Sequence, residues 1–291
     1  MYETILVPTD GSEGAEGAAG HALALASAFG SRVVALSVVD DRAFSARLAD
    51  IDPAVGETRD ALARGAREAA EAVATLAGDD RSVRTAVETG TPHETIVDYA
   101  DRIDADLVVM GTHGRTGLDR LLLGSVAERV IRTSDVPVLA ARAAPADDSG
   151  YGAVLIPTDG SEAARAAIDH GIAVAERYDA TVHALSVVDV GALAGASSIG
   201  MSVPDVVDDL QADAEAAVEP VVNRCDRAGL DVRTRVERGT PHRSIREYVD
   251  AEDIDLVTMG THGRTGFDRF VLGSVTDRVL RTCSAPVLTV R

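Results

Sequence analysis

The sequence predicts an α/β protein of two tandem domains, each a doubly wound sheet of five parallel strands. Three observations carry this expectation. The chain repeats itself: PTDGSE at 8–13 returns at 157–162, ALSVVD at 35–40 at 184–189, and GTPH at 90–93 at 239–242, each pair 149 residues apart. Within each copy, short β-branched runs alternate with segments whose apolar residues recur every three or four positions. Hydrophobic residues make up 46% of the chain but aromatic ones only 3%, with no Trp, so the cores are Ala, Val, Leu and Ile, which suits helices packed closely on a parallel sheet. A period of 149 residues is a whole domain, since stacked repeats run to roughly 20–50 residues.

The elements of one copy follow in order. Thr4–Pro8 is a short apolar strand that ends in Thr9-Asp10-Gly11-Ser12, a turn and helix cap. Glu13–Phe29 carries Ala22, Leu25, Ala26 and Phe29 at helical spacing, and Arg32–Val39 is a β-branched strand. Thr58–Leu76 is again helical and Val83–Glu88 the third strand. Gly90-Thr91-Pro92-His93-Glu94 reads as a helix start, with Thr91 at the N-cap, Pro92 at the first helical position and Glu94 completing a capping box. Asp106–Met110 is the fourth strand, a helix runs from Leu118 to about Arg132, and Val136–Ala141 is the fifth strand. The predicted domains are therefore 1–142 and 151–291, joined by a linker at 143–150 that contains Pro145, Asp147, Asp148 and Gly150.

Charge narrows the partners. Residues 1–149 hold 25 Asp+Glu against 14 Arg, a net −11, and residues 150–291 hold 22 against 14, a net −8. All 28 basic residues are Arg. A field this negative opposes nucleic acid and anionic membrane. The carboxylate surplus without Lys is expected of a salt-adapted, halophilic surface. Cys225 and Cys283 form no CxxC and read as a structural small hydrophobe and a chance thiol, not as a disulfide or metal site. The opening MYETILVPTD is already a strand and no apolar run approaches a membrane span, which points to the cytoplasm.

In open α/β sheets ligands lie beyond the carboxyl ends of the strands, where the strand order reverses. With the order 3-2-1-4-5, in a flavodoxin-like arrangement, the reversal lies between the first and fourth strands. The two most distinctive loops hang from those strands: Pro8-Thr9-Asp10-Gly11-Ser12, and Gly111-Thr112-His113-Gly114-Arg115-Thr116-Gly117. Glycines at 111, 114 and 117 let backbone N–H groups approach an anion. Gly124 falls inside the following helical pattern at a cost of about 1 kcal/mol relative to Ala, so either a ligand or a neighbouring helix must come close to the backbone there. A Walker A loop is excluded by the absence of Lys, and Gly11, Gly14, Gly17 and Gly20 do not fit GxGxxG.

These residues carry a resemblance. Gly111-x-x-Gly114, nine residues, then Gly124-Ser125 is similar to the G-2x-G-9x-G(S/T) signature of the nucleotide-binding universal stress protein family, and Gly260, Gly263, Gly273 and Ser274 repeat it. With PTDGSE at the start and PVL in the last strand of each copy, the resemblance covers both copies. It implies an adenine nucleotide alpha hydrolase-like fold and ATP as the bound cofactor, often with a divalent cation such as Mg2+. By that resemblance Asp10 and Asp159 hold the ribose hydroxyls, and backbone groups of Val38 and Val187 meet the adenine. Pro8, Thr9, Pro157 and Thr158 flank those aspartates. Met110, Gly111, Gly114, Gly124, Ser125 and Val126, with Met259, Gly260, Gly263, Gly273, Ser274, Val275 and Thr276, form the phosphate side. The family also pairs domains through the last strand, which implies an intramolecular pair and leaves a homodimer open.

Thr276 stands where the first copy has Ala127, so the first site is expected to hold phosphate several-fold more weakly. Asp10 is open to a second role as the cap of the first helix. His113 and His262 are more readily explained as hydrogen-bonding their loop than as proton carriers. Arg115 and Arg264 either reach a phosphate or point into solvent. The segments 41–57 and 190–206 differ most between copies and are lids or partner surfaces. No catalytic constellation stands out. The leading reading is an ATP-binding stress or signalling module, with a slow ATPase and a ligand-free scaffold as alternatives.

Overall fold

The computed structural model describes residues 1–40, 54–78, 82–112, 123–142, 150–189, 191, 203–263 and 272–291. They divide into two compact units, Met1–Asp148 and Ser149–Arg291. The first contains β1 (Thr4–Pro8), α1 (Glu13–Phe29), β2 (Arg32–Asp40), α2 (Ala54–Leu76), β3 (Val83–Gly90), α3 (Pro92–Arg102), β4 (Leu107–Gly111), α4 (Ser125–Thr133) and β5 (Val138–Ala141). The second contains β6 (Ala153–Pro157), α5 (Glu162–Tyr178), β7 (Thr181–Asp189), α6 (Val203–Ala228), β8 (Val232–Gly239), α7 (Pro241–Ala251), β9 (Leu256–Gly260), α8 (Ser274–Thr282) and β10 (Val287–Val290).

The first unit orders its strands β3-β2-β1-β4-β5, all parallel, and the second orders its own β8-β7-β6-β9-β10. This is the expected 3-2-1-4-5. It differs from flavodoxin's own 2-1-3-4-5, so the flavodoxin comparison holds for the architecture and not for the order. Register repeats with the sequence: Val7 stands opposite Ala35, and Ile156 opposite Ala184.

Every residue of β1 is buried, and Ala18, Ala19 and Ala22 of α1 are fully buried against the sheet. Small side chains bring this helix close to the strands, which is what an Ala-rich stripe provides. The helices form two pairs in the first unit, α1 with α2 and α3 with α4, as a doubly wound sheet requires. At the amino end of the central strands a carboxylate ties β4 to β1: Oδ2 of Asp106 accepts the N–H groups of Glu3 and Thr4 at 2.8 and 2.9 Å. Asp255 repeats this with Gly152 and Ala153 at the same two distances. The clamp fixes one end of the β1/β4 pair and leaves the other end for the two loops.

Several boundaries differ from the sequence expectation: the second strand ends at Asp40, one residue late, α2 starts at Ala54 and not Thr58, and the fourth strand is shifted by one residue to Leu107–Gly111. The fifth strand starts at Val138, two residues late, and the third runs on to Gly90. The helix expected from Leu118 begins at Ser125, with Gly124 as its N-cap and not in its interior, so the interior-glycine cost does not arise. Residues 118–122 lie outside the described residues, as do the linker at 143–149 and most of the expected lids, 41–53 and 192–202. Thr91 does occupy the N-cap and Pro92 the first turn, but the Thr91 side chain makes no capping hydrogen bond, so the capping box is not formed.

Candidate functional site

Thr9, Asp10, Gly11 and Ser12 of the PTDGSE motif each have a task at the tip of β1. The N–H of Thr9 donates to the Leu36 carbonyl at 2.8 Å, continuing the β1/β2 ladder past the strand. Gly11, at φ 75°, then turns the chain. Its N–H donates to Oγ1 of Thr9 at 3.2 Å, and the Ser12 N–H donates to Oδ1 of Asp10 at 3.0 Å. Ser12 caps α1 by accepting the Ala15 N–H. The cap is therefore Ser12, not Asp10, and the Asp10 carboxylate is instead oriented by the turn. Thr158, Asp159, Gly160 and Ser161 repeat every one of these contacts within 0.1 Å.

The tip of β4 approaches from the other side of the reversal. A Cβ on Gly111 would stand 2.6 Å from the carbonyl oxygen of Gly14, and one on Gly260 would stand 2.7 Å from the carbonyl carbon of Ala163. The first turn of the helix crosses both positions, which is a packing reason for glycine at each. The chain then passes Thr112, which is buried, and the Gly124 N–H returns to the Thr112 carbonyl at 2.6 Å; Gly273 and Thr261 do the same at 2.8 Å. Gly124 and Gly273 offer no capping side chain. The first turns of α4 and α8 thus keep their N–H groups and the positive end of the helix for whatever lies in front.

Between the two tips lies a cavity of about 320 Å3 in the first unit, within the size range of small-molecule sites. Pro8, Thr9 and Asp10 line it from β1, and Met110 and Gly111 from β4. Gly124, Ser125 and Val126 line it from α4, and Val38 from β2. The structure brings all nine of these expected residues together. His113, Gly114 and Arg115, and Arg264 in the second copy, lie outside the described residues. Thr112 of the glycine loop and Ala127, the counterpart of Thr276, also line the cavity, as do Ala15, Leu36, Pro92 and Ile96, which were not expected. The signal that pointed to Pro92 was available: GTPH is duplicated, and a duplicated surface turn at a helix start asks for more than a cap.

In the second unit, Asp159 Oδ2 lies 2.8 Å from where a Cβ on Gly263 would stand, so the two tips meet there as well. A Cβ on Gly239 would stand 4.0 Å from Cγ1 of Val187, which brings the end of β8 beside the expected adenine residue. Pro157 ends β6, and Met259 and Gly260 end β9. Nδ1 of His262 shares a hydrogen bond of 2.9 Å with the Thr261 hydroxyl, consistent with a loop-holding histidine. Ser274 and Val275 open α8. Thr276 corrects an expectation: its buried hydroxyl donates to the Gly260 carbonyl at 2.8 Å, so its proton is spent inside the fold and not on a phosphate. Among the described residues, no cluster of three or more His, Cys, Asp and Glu is placed to hold a metal, and no helix is long and apolar enough to cross a membrane.

A parallel doubly wound sheet, built twice, with a cavity at the reversal point of the first copy, defines a tandem α/β protein of the open-sheet class. The family model for the universal stress protein family matches residues 1–142 and 150–291. The chain belongs to that family. A universal stress protein of Mycolicibacterium smegmatis is 30% identical over 294 residues, covering 99% of this chain and 96% of its own. Universal stress protein MJ0531 of Methanocaldococcus jannaschii is 36% identical over 141 residues, 48% of this chain and 82% of its own. The crystal structure of a universal stress protein from Archaeoglobus fulgidus shares the fold at a TM-score of 0.73, with 22% identity, covering 99% of this chain and 98% of its own.

Proposed function

We propose that each half binds an adenine nucleotide, ATP, and that the chain acts as a nucleotide-dependent stress or signalling module. The observation that carries this reading is the convergence of Asp10, Val38, Gly111 and Ser125 on one 320 Å3 cavity at the reversal of the strand order. Asp10 and Asp159 accept the ribose hydroxyls, since each is held in place by its own turn and charge-assisted hydrogen bonds are the strong ones. The extended backbone at Val38 and Val187 faces the adenine. Phosphates lie at the uncapped starts of α4 and α8, where N–H groups and helix dipole both favour an anion. His113, Gly114 and Arg115, with His262, Gly263 and Arg264, complete the phosphate side. Mg2+ arrives on the phosphates, because the described residues provide no cage for it.

The test is to identify what the purified chain carries and what it does with it. Nucleotide extracted from the protein is separated by chromatography, and phosphate release from added ATP is followed. Bound adenine nucleotide with no turnover supports the reading. Turnover abolished by changing the glycine loop converts it to a slow ATPase. No nucleotide bound at millimolar ATP removes it.

A further inference from the structure

The outermost strand of each half is guarded differently. In the first unit β3 ends the sheet and pairs, among the described strands, with β2 alone; in the second unit β8 has the same place beside β7. The Val182 N–H of β7 donates to the Asp231 carbonyl at 2.9 Å. Asp231 and every second residue after it therefore turn their backbone groups inward, and Val232, Thr234, Val236 and Arg238 turn theirs outward. The register of β3 on β2 is the same, 149 residues earlier. Its inward residues are Arg84, Ala86 and Glu88, and its outward ones are Val83, Thr85, Val87 and Thr89. Such an outward row of N–H and C=O groups is a template for a further strand, and all four residues that carry it are β-branched.

Side chains decide which strand fits. An antiparallel partner must set outward residues opposite outward residues, so that each pair exchanges both hydrogen bonds. If the partner is β3 of a second copy and the two-fold axis passes through Ala86, Thr85 lies opposite Val87 and Val83 opposite Thr89. The intervening, closer pairs are then Ala86 with itself and Arg84 with Glu88, the latter formed twice by symmetry. A small residue sits on the axis and opposite charges face each other on both sides of it. Arg84 is exposed, while Glu88 is half-buried and already held by Arg102 of α3. Shifting the axis to Thr85 or Val87 sets Ala86 opposite Arg84 or Glu88 and loses the match. In the second half Arg235 replaces Ala86. There the same register would set two Arg235 guanidiniums opposite each other, and like charges directly opposite are destabilising.

We infer that β3 is a homodimerisation edge: two copies of the chain pair their β3 strands antiparallel about Ala86, Arg84 of each opposite Glu88 of the other, while Arg235 keeps β8 from pairing in the same way. The association is independent of nucleotide. It is opposed by the net charge of −19 on each copy, so it belongs to high salt, where that general repulsion is screened and charges in contact are screened less.

The test is sedimentation of the full chain in high salt across a concentration series, with circular dichroism to check the fold. The wild-type chain is expected to dimerise. Ala86→Arg copies the second half, where Arg235 sits 2.8 Å from Glu237 and 5.7 Å from the ring centre of Tyr248. Glu88 and Tyr99 stand at the same positions of the first half, so the new side chain has a place and the fold is kept. Thr85→Pro is a second variant, which removes an outward N–H and no hydrogen bond of the sheet itself. Both are expected to sediment as monomers at concentrations where the wild type is dimeric. Arg235→Ala frees the second edge and is expected to add species larger than a dimer. A wild-type chain that stays monomeric throughout overturns the inference. So does a dimer that survives both Ala86→Arg and Thr85→Pro, since it is then held elsewhere.

Discussion

A methyl group on Gly263 would lie 2.8 Å from Oδ2 of Asp159, so the turn that follows β9 rests on the carboxylate that follows β6. Oδ1 of the same carboxylate accepts the Ser161 N–H at 2.9 Å, which sets its orientation. Gly263→Ala is therefore expected to displace the carboxylate and weaken nucleotide binding in the second half about tenfold, a loss typical of one charge-assisted hydrogen bond. The melting temperature changes little, since the atom that must yield is the end of a side chain. Gly111→Ala is expected to do the reverse. Its Cβ would meet backbone at 2.6 Å, and overpacking of this kind costs about 1–3 kcal/mol. Denaturant titration and calorimetry on the two variants separate a ligand glycine from a packing glycine.

That separation marks what the sequence could and could not convey. The duplication and the alternation of elements were legible, because the hydrophobic period marks each element. The order 3-2-1-4-5, and with it the β1 and β4 tips as neighbours, came from the family resemblance and not from the periodicity. The roles of individual residues within those tips were less legible. Gly111 and Gly124 look alike in a motif, yet one is crossed by a helix and the other caps one. Ser12 and Asp10 are both good caps, and only the turn geometry assigns the task to Ser12. The wall formed by Leu36, Pro92 and Ile96 was missed because apolar residues in a strand and a helix read as core whether or not a cavity lies beside them.

Thr276 is expected to matter for stability and not for ligand. Thr276→Ala removes the hydroxyl that satisfies the buried Gly260 carbonyl, at a cost of about 1–3 kcal/mol. Nucleotide affinity in the second half stays within about twofold of wild type. A fall in affinity without a fall in denaturation midpoint would restore the hydroxyl to the phosphate.

Two imidazoles, His183 buried and His170 partly buried, set an acid limit on stability. His183 is held below its usual pKa of 6.5 by burial and then by Arg233, against Glu252, while its Nδ1 pairs with the Tyr248 hydroxyl at 2.9 Å. His170 is lowered by burial, against Asp169. A lowered folded-state pKa means that the unfolded chain binds more protons once the pH drops below 6.5. Their contribution is thus complete above the unfolded value and is lost as pH falls through the folded one. Urea midpoints measured from about pH 7 down to about pH 5 should decline. His183→Gln, which keeps a partner for Tyr248 but cannot titrate, should flatten the slope; an unchanged slope would assign the acid limit elsewhere.

The charge balance predicts a salt response of opposite sense to that of a protein held by surface ion pairs. With a net charge of −19, repulsion among carboxylates loosens the fold in dilute buffer, and added salt screens it. The melting temperature should rise by several degrees between about 0.05 and 2 M KCl. Equal melting temperatures would remove the salt-adapted reading of the surface.

The most direct check is a count of nucleotide per chain. Calorimetric titration of the full chain with ATP should give two molecules bound. Asp10→Asn and Asp159→Asn keep an acceptor for the Ser12 and Ser161 N–H groups but lose the charge, and each should weaken one of the two sites by about tenfold and leave the other unchanged. Two sites that ignore both substitutions, or no saturable binding in a folded protein, would contradict the assignment of the paired strand tips as the place where ATP sits.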